Sequence, residues 1–156
     1  PVTANDVIFG ELLYGMLKSV LFGAVILIVV SLLGQIPAVT AIFIPLFLFL
    51  PGAVFAILAV SYTAMIKNID QLNYYITLAI MPFFLFGGLY FPVSNLPEWV
   101  QLINWFNPLY HSIEVCRGLA LGQPPARLWW HVAVLLVMIL TTAAIPLRLM
   151  KKRLLL

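Results

Sequence analysis

Of the 156 residues, 64% are hydrophobic and 8% are charged, with a mean hydropathy of +1.12; soluble domains carry charge on about a quarter of their residues. That balance excludes an ordinary soluble domain and places the chain in a membrane. A net charge of +3, scattered along the chain, is too small to mark a nucleic-acid partner, and the lone Cys116 excludes an internal disulfide.

The N-terminal stretch, 1–16, carries Val7, Ile8, Leu12 and Leu13 at a partly helical apolar spacing, with Asp6 and Glu11 among them and Lys18 just beyond. This predicts a helix at the membrane interface ahead of the first span; a docking surface for a cytoplasmic partner is the other reading. The opening Pro1-Val2-Thr3-Ala4-Asn5-Asp6 has no initiator methionine and reads as the middle of a cytoplasmic loop. The chain is therefore expected to be the C-terminal part of a longer protein.

A helix rising about 1.5 Å per residue needs roughly 20 apolar residues to cross the hydrocarbon of a bilayer. Residues 19–66 contain no charge at all, enough for two crossings, and Gly34-Gln35-Ile36-Pro37 is the obvious turn between them. The predicted spans are 17–34, 41–66, 72–91 and 128–148. Pro45, Pro51, Pro82 and Pro146 fall inside the apolar windows and are expected to kink the helices, because membrane neighbours satisfy the backbone groups that proline frees. A signal peptide is excluded, since no basic start leads into a single short apolar run and a cleavage site. With four spans, Lys18, Lys67, Arg148, Lys151, Lys152 and Arg153 collect on one side, and only Arg117 and Arg127 on the other. Positive charge stays on the cytoplasmic side, so both termini are expected in the cytoplasm.

Between the third and fourth spans the chain turns polar. Asn95-Leu96-Pro97-Glu98 has the form of a helix start, with Asn95 as the cap, Pro97 in the first turn and Glu98 three residues after the cap. Trp99, Leu102, Ile103 and Phe106 then share one face, with Gln101 and Asn104 elsewhere. Asn107-Pro108 repeats the cap-then-proline signal, and Gly122 supplies a stop. Helices of about 15 and 21 Å are too short to cross alone, so 95–122 is predicted to be a re-entrant pair. His111, Glu114 and Arg117 follow at steps of three, which lets Glu114 meet either neighbour. Ionisable groups at membrane depth face a cavity or each other; the trio is either a self-neutralising set or a polar lining.

The His111-x-x-Glu114 spacing suits a metal, but a zinc site needs three or four ligands and His131 is the one other histidine. No G-x-S-x-G elbow and no G-x-x-x-x-G-K-[ST] loop is present. The sequence thus offers no catalytic, cofactor-binding or metal set, and ATP, if it powers the protein, must be bound elsewhere. A polytopic enzyme acting on a lipid-linked substrate, with His111 and Glu114 as acid and base, is the competing function class.

The succession Phe91-Pro92-Val93-Ser94-Asn95-Leu96-Pro97-Glu98-Trp99, then Asn107-Pro108-Leu109, Arg117-Gly118 and Gly122, then a final span ending in Lys and Arg, resembles the ABC-2 family of bacterial exporter permeases. Pro108-Leu109-Tyr110-His111-Ser112-Ile113-Glu114 is similar to the P-L-S-H-S-I-D run of the branch that contains nodulation lipo-oligosaccharide exporter permeases, with Tyr110 for the serine and Glu114 for the aspartate. The resemblance implies an all-α polytopic membrane fold of six spans, four of them here, with a re-entrant helical hairpin before the last. It implies a transport permease of the bacterial inner membrane that pairs with a second copy, as a homodimer, and with cytoplasmic ATPase subunits that bind the ATP and magnesium. Asp6 and Glu11 fall where coupling to the ATPase is expected. Pro92, Asn95, Pro97, Glu98, Asn107, Pro108, His111, Glu114 and Arg117 fall in the outer, exit-side segment. The implied substrate is a lipid-linked glycan, a lipo-oligosaccharide or another amphipathic molecule.

Overall fold

The computed structural model describes residues 4–37, 39–91, 93–123 and 128–154, and they form helices and turns with no strand among them. Four helices are long and apolar enough to cross a membrane: Asn5–Leu32, Val39–Met65, Ile69–Phe86 and Leu128–Met150. The all-α polytopic architecture is the one the sequence predicts.

The first span belongs to a single helix, Ala4–Leu32, of 29 residues. At about 1.5 Å per residue it is roughly 43 Å long, more than the hydrocarbon core of about 30 Å. No break marks the boundary expected near residue 17, because no proline interrupts the segment. Asp6 and Glu11 therefore sit on the first turns of the spanning helix itself, and not on a separate interfacial helix.

This helix stops as predicted at Gly34, whose φ of +68° is the left-handed conformation open to glycine. The Gln35 amide donates to the Val30 carbonyl and the Gly34 amide to that of Ser31, which closes the last turn.

Each proline within a span coincides with an irregularity. The second span opens with a 3-10 turn, Val39–Phe43, and a short helix, Ile44–Phe47, before the main helix Phe49–Met65. Pro45 and Pro51 lie in the first turns of these last two segments, where no intrahelical bond is lost. In the third span a π-helical turn, Ile76–Ile80, precedes Pro82 and loosens the backbone where the proline ring would strike the carbonyl four residues earlier. The last span breaks at Ala143, between Leu128–Thr142 and Ala144–Leu154, three residues before the buried Pro146.

The second span is the centre of the bundle, packed on the first span, the last span and the polar segment. Its seam with the first span is made of small residues four apart. A Cβ added at Gly15 would lie 2.8 Å from that of Ala56, one at Gly52 would strike Ser19 Oγ, and one at Gly23 would strike the Leu48 side chain. Such close backbone approach is a common way for helices to associate where water gives no hydrophobic drive. The Ser19 hydroxyl lies 2.8 Å from the Leu48 carbonyl across the seam and 2.7 Å from the Met16 carbonyl of its own helix. One end of the seam is filled by Ile8, Leu12 and Ile57, against which Ile139, Leu147 and Met150 of the last span pack.

Candidate functional site

The polar segment forms a helical hairpin, as expected, but its first helix starts later than the sequence suggests. Val93–Asn95 is a 3-10 turn, and the helix runs Glu98–Asn104 with Pro97 as its N-cap. Asn95 is not the cap: the residue before a proline is driven out of the helical region, so Leu96 cannot carry a helix from Asn95 into Pro97. Glu98 is consequently the first helical residue, where its charge favours the positive helix end, and Gln101 holds the turn by donating to the Leu96 carbonyl at 2.7 Å. Pro92 lies outside the described residues. The stripe of Trp99, Leu102, Ile103 and Phe106 faces outward, while Val100 and Asn104, at 5% and 1% exposure, face the protein.

The second hairpin helix, Pro108–Ala120, starts as predicted. Asn107 Oδ1 accepts from the Leu109 amide at 3.0 Å, and Pro108 occupies the first position. It ends at Gly122, with φ +70°, where the Gln123 amide reaches the Gly118 carbonyl at 2.9 Å. Thr40 Oγ1 donates to the Leu119 carbonyl at 2.6 Å and ties this end to the start of the second span.

The hairpin's polar side chains clamp the C-terminal end of the third span. A helix end leaves carbonyls without intrahelical partners, and in an apolar setting each needs a donor. Asn104 Nδ2 donates to the Phe86 carbonyl at 2.6 Å, and Asn107 Nδ2 adds a second donor, at 3.1 Å, to the Phe83 carbonyl, which also accepts from the Gly87 amide. Arg117 Nη2 donates to the Gly88 carbonyl at 2.8 Å, which puts a cation at the negative helix end. Asn107 Nδ2 also lies 3.3 Å from Asn104 Oδ1, so the two amides brace each other.

A second joint holds the hairpin to the last span. His111 is fully buried, and its Nδ1 lies 2.8 Å from Nδ1 of His131, which is 6% exposed. Its Nε2 lies 3.0 Å from the Trp105 carbonyl. A carbonyl only accepts, so His111 carries its proton on Nε2 and presents a bare Nδ1, and His131 Nδ1–H is the donor. Trp105 lies parallel to His131, with an interplanar angle of 4° and ring centres 6.3 Å apart, and Tyr110 meets both imidazoles edge-on. Burial pushes the His111 imidazolium below the ordinary histidine value, and the bond to the Trp105 carbonyl only partly offsets this.

Of the two partners open to Glu114, the structure selects Arg117, at 3.1 Å, with the side chains 29% and 44% exposed. His111 turns instead to the last span, so His111 and Glu114 are not brought together as an acid and a base. Asp6 and Glu11 lie near the start of the first helix, far in sequence from this cluster. Asn104, Trp105 and His131 complete the site although no sequence motif marks them. The available signal was narrow: Asn104 opposes an apolar stripe, and His111 and His131 are the chain's two histidines.

The described residues form an all-helical bundle in which a helical hairpin, clamped to the third apolar helix, precedes the last one, and comparisons with known proteins identify the class as a transport permease. The family described as ABC-2 type transporter matches residues 1–121, and the chain belongs to it. Nodulation protein J of Rhizobium leguminosarum bv. viciae is 33% identical over 153 residues, covering 98% of this chain and 59% of that protein. Nodulation protein J of Rhizobium meliloti (strain 1021) is 34% identical over 134 residues, covering 86% and 51%. That of Sinorhizobium fredii (strain NBRC 101917 / NGR234) is 30% identical over 154 residues, covering 99% and 59%. The chain thus spans just over half the length of these relatives. No solved structure matches it.

Proposed function

We propose that this chain is part of the membrane domain of an ATP-driven exporter, and that it moves a lipo-oligosaccharide or a similar lipid-linked glycan outward across the bacterial inner membrane. The observation that carries this reading is the likeness to Nodulation protein J over nearly the whole chain. ATP and magnesium are bound by a separate cytoplasmic ATPase subunit, and a second permease copy completes the pathway as a homodimer. Both termini lie in the cytoplasm, so Asp6 and Glu11 face the ATPase and the hairpin faces outward. An apolar groove of about 540 Å³, lined by Trp105, Phe106, Trp130, Val134 and Met138, supports an acylated substrate. It follows the last span from Trp130 to Thr141, a length of about 16 Å, and suits one acyl chain beside the hairpin.

The test is reconstitution in vesicles of the permease together with its ATPase. A fluorescent lipo-oligosaccharide should move only when ATP is present, the isolated chain should hydrolyse no ATP, and cysteines at Asp6 or Glu11 should crosslink to the ATPase. ATPase activity in the pure chain, or labelling of Asp6→Cys only from the outer face, sinks the assignment. Transport of apolar drugs but of no acylated glycan removes the substrate class and leaves the exporter.

A further inference from the structure

We propose that the His111–His131 contact is a proton-operated latch, which holds the hairpin against the last span when its two imidazoles share one Nδ1 proton and releases it when both Nδ1 atoms are protonated. The proposal concerns opening of the hairpin and does not depend on the substrate.

The geometry supports it directly. The hydrogen bond between the rings has one proton, donated by His131 into the bare Nδ1 of His111. A first added proton can go to His131 Nε2 and leaves the bond in place with a cationic donor. A second can go only to His111 Nδ1, because its Nε2 already holds a proton against the Trp105 carbonyl. Two N–H groups would then face each other across 2.8 Å on two cations, and like charges at that distance inside a protein repel strongly. The joint must open.

Among the described residues no countercharge meets the rings. Tyr110 contacts both imidazoles by its ring, and Trp105 contributes its indole and its carbonyl. Further along the same helix Glu114 and Arg117 neutralise each other, and Cys116 is the other titratable group. The first hairpin helix carries Glu98 at its opposite end from Trp105. The third span meets the hairpin through the Phe83 and Phe86 carbonyls, and the Gly88 carbonyl follows just beyond it. Tyr62, the titratable residue of the second span, is bonded to the Gln71 carbonyl instead. On the last span the titratable residue facing the hairpin is His131 among the described residues.

The sign follows from burial. A histidine whose folded value lies below its free value of about 6.5 holds its contribution in full above that pH and loses it as pH falls toward the folded value. The latch is therefore closed at neutral pH and opens in acid. The clamp on the third span contains no group that titrates in this window, so the hairpin should swing from that end and not detach.

The experiment is a spin-label distance measurement on the permease in lipid nanodiscs. Labels go on cysteines at the exposed Leu102 and Leu136, with Cys116→Ser to remove the native thiol. Between about pH 7.5 and about pH 5, on either side of the free histidine value, a longer-distance population should rise several-fold and reverse on neutralisation. In His111→Gln/His131→Gln the amides can keep the bond without titrating, so the distribution should not respond. A distribution in the unaltered site that ignores pH overturns the latch, as does an equal acid response in the double variant. If that variant fails to assemble, 15N-imidazole resonances of the unaltered site decide: opening while either ring is still neutral overturns the proposal, and opening together with full protonation supports it.

Discussion

Replacing Asn104 by alanine tests whether the hairpin is held to the third span by carbonyl capping or merely by apolar contact. The side chain is 1% exposed and makes two hydrogen bonds, to the Phe86 carbonyl and from the Asn107 amide. Hydrogen bonds between membrane helices average about 0.6 kcal/mol and reach about 1.7, so the pair contributes about 1–2 kcal/mol. The part-buried Phe86 carbonyl, left without its donor, adds about 1–3 kcal/mol, for an expected destabilisation of about 2–5 kcal/mol. Asn104→Asp should be worse despite its matching shape, because a carboxylate oxygen would replace the donor facing that carbonyl. Reversible unfolding in mixed micelles titrated with a denaturing detergent, followed by tryptophan fluorescence, measures both. Costs within about 0.5 kcal/mol, the ordinary range for surface substitutions, or an aspartate variant as stable as the parent, would refute the capping argument.

Arg117→Gln should cost about 1 kcal/mol more than Glu114→Gln in the same assay, because the exposed ion pair is worth little while the bond from Arg117 to the Gly88 carbonyl is charge-assisted; equal costs would mean that the pair matters and the carbonyl does not. Burial pushes the Cys116 thiol up to about 11, so maleimide labelling of the folded protein at neutral pH should be about a hundredfold slower than for an unperturbed thiol. Fast labelling would show that Cys116 is open to water.

The spans were legible because charge is absent from long windows, and the hairpin because Asn107-Pro108 and Gly122 act through contacts within one turn. Asn95 misled for a local reason too, since the constraint that Pro97 places on Leu96 outweighs the preference of asparagine for a cap. The interfacial helix expected before residue 17 rested on apolar spacing, which marks a helix but not a break, and the helix runs on unbroken to Leu32. The rest lay beyond local reading. His111 and His131 are 20 residues apart and meet only because the hairpin folds back onto the last span. Arg117 looks complete with Glu114 until the chain brings Gly88 within reach. Asn104 draws no attention in sequence because its partner is a backbone carbonyl, which every residue possesses.

The small-residue seam between the first two spans has a repeat of its own. Gly15, Ser19 and Gly23 face Ala56, Gly52 and Leu48 at intervals of four, so a register shifted by four residues, about 6 Å, would bring Gly52 to Gly23 and Ala56 to Ser19. Registry along this track is held by the Ser19 hydroxyl, bonded to the Leu48 carbonyl, and by Ile8, Leu12 and Ile57 at one end. A shift by one repeat would break that bond and pull Ile57 away from Ile8 and Leu12, so the seam fixes where the two spans sit along each other as well as how closely they approach.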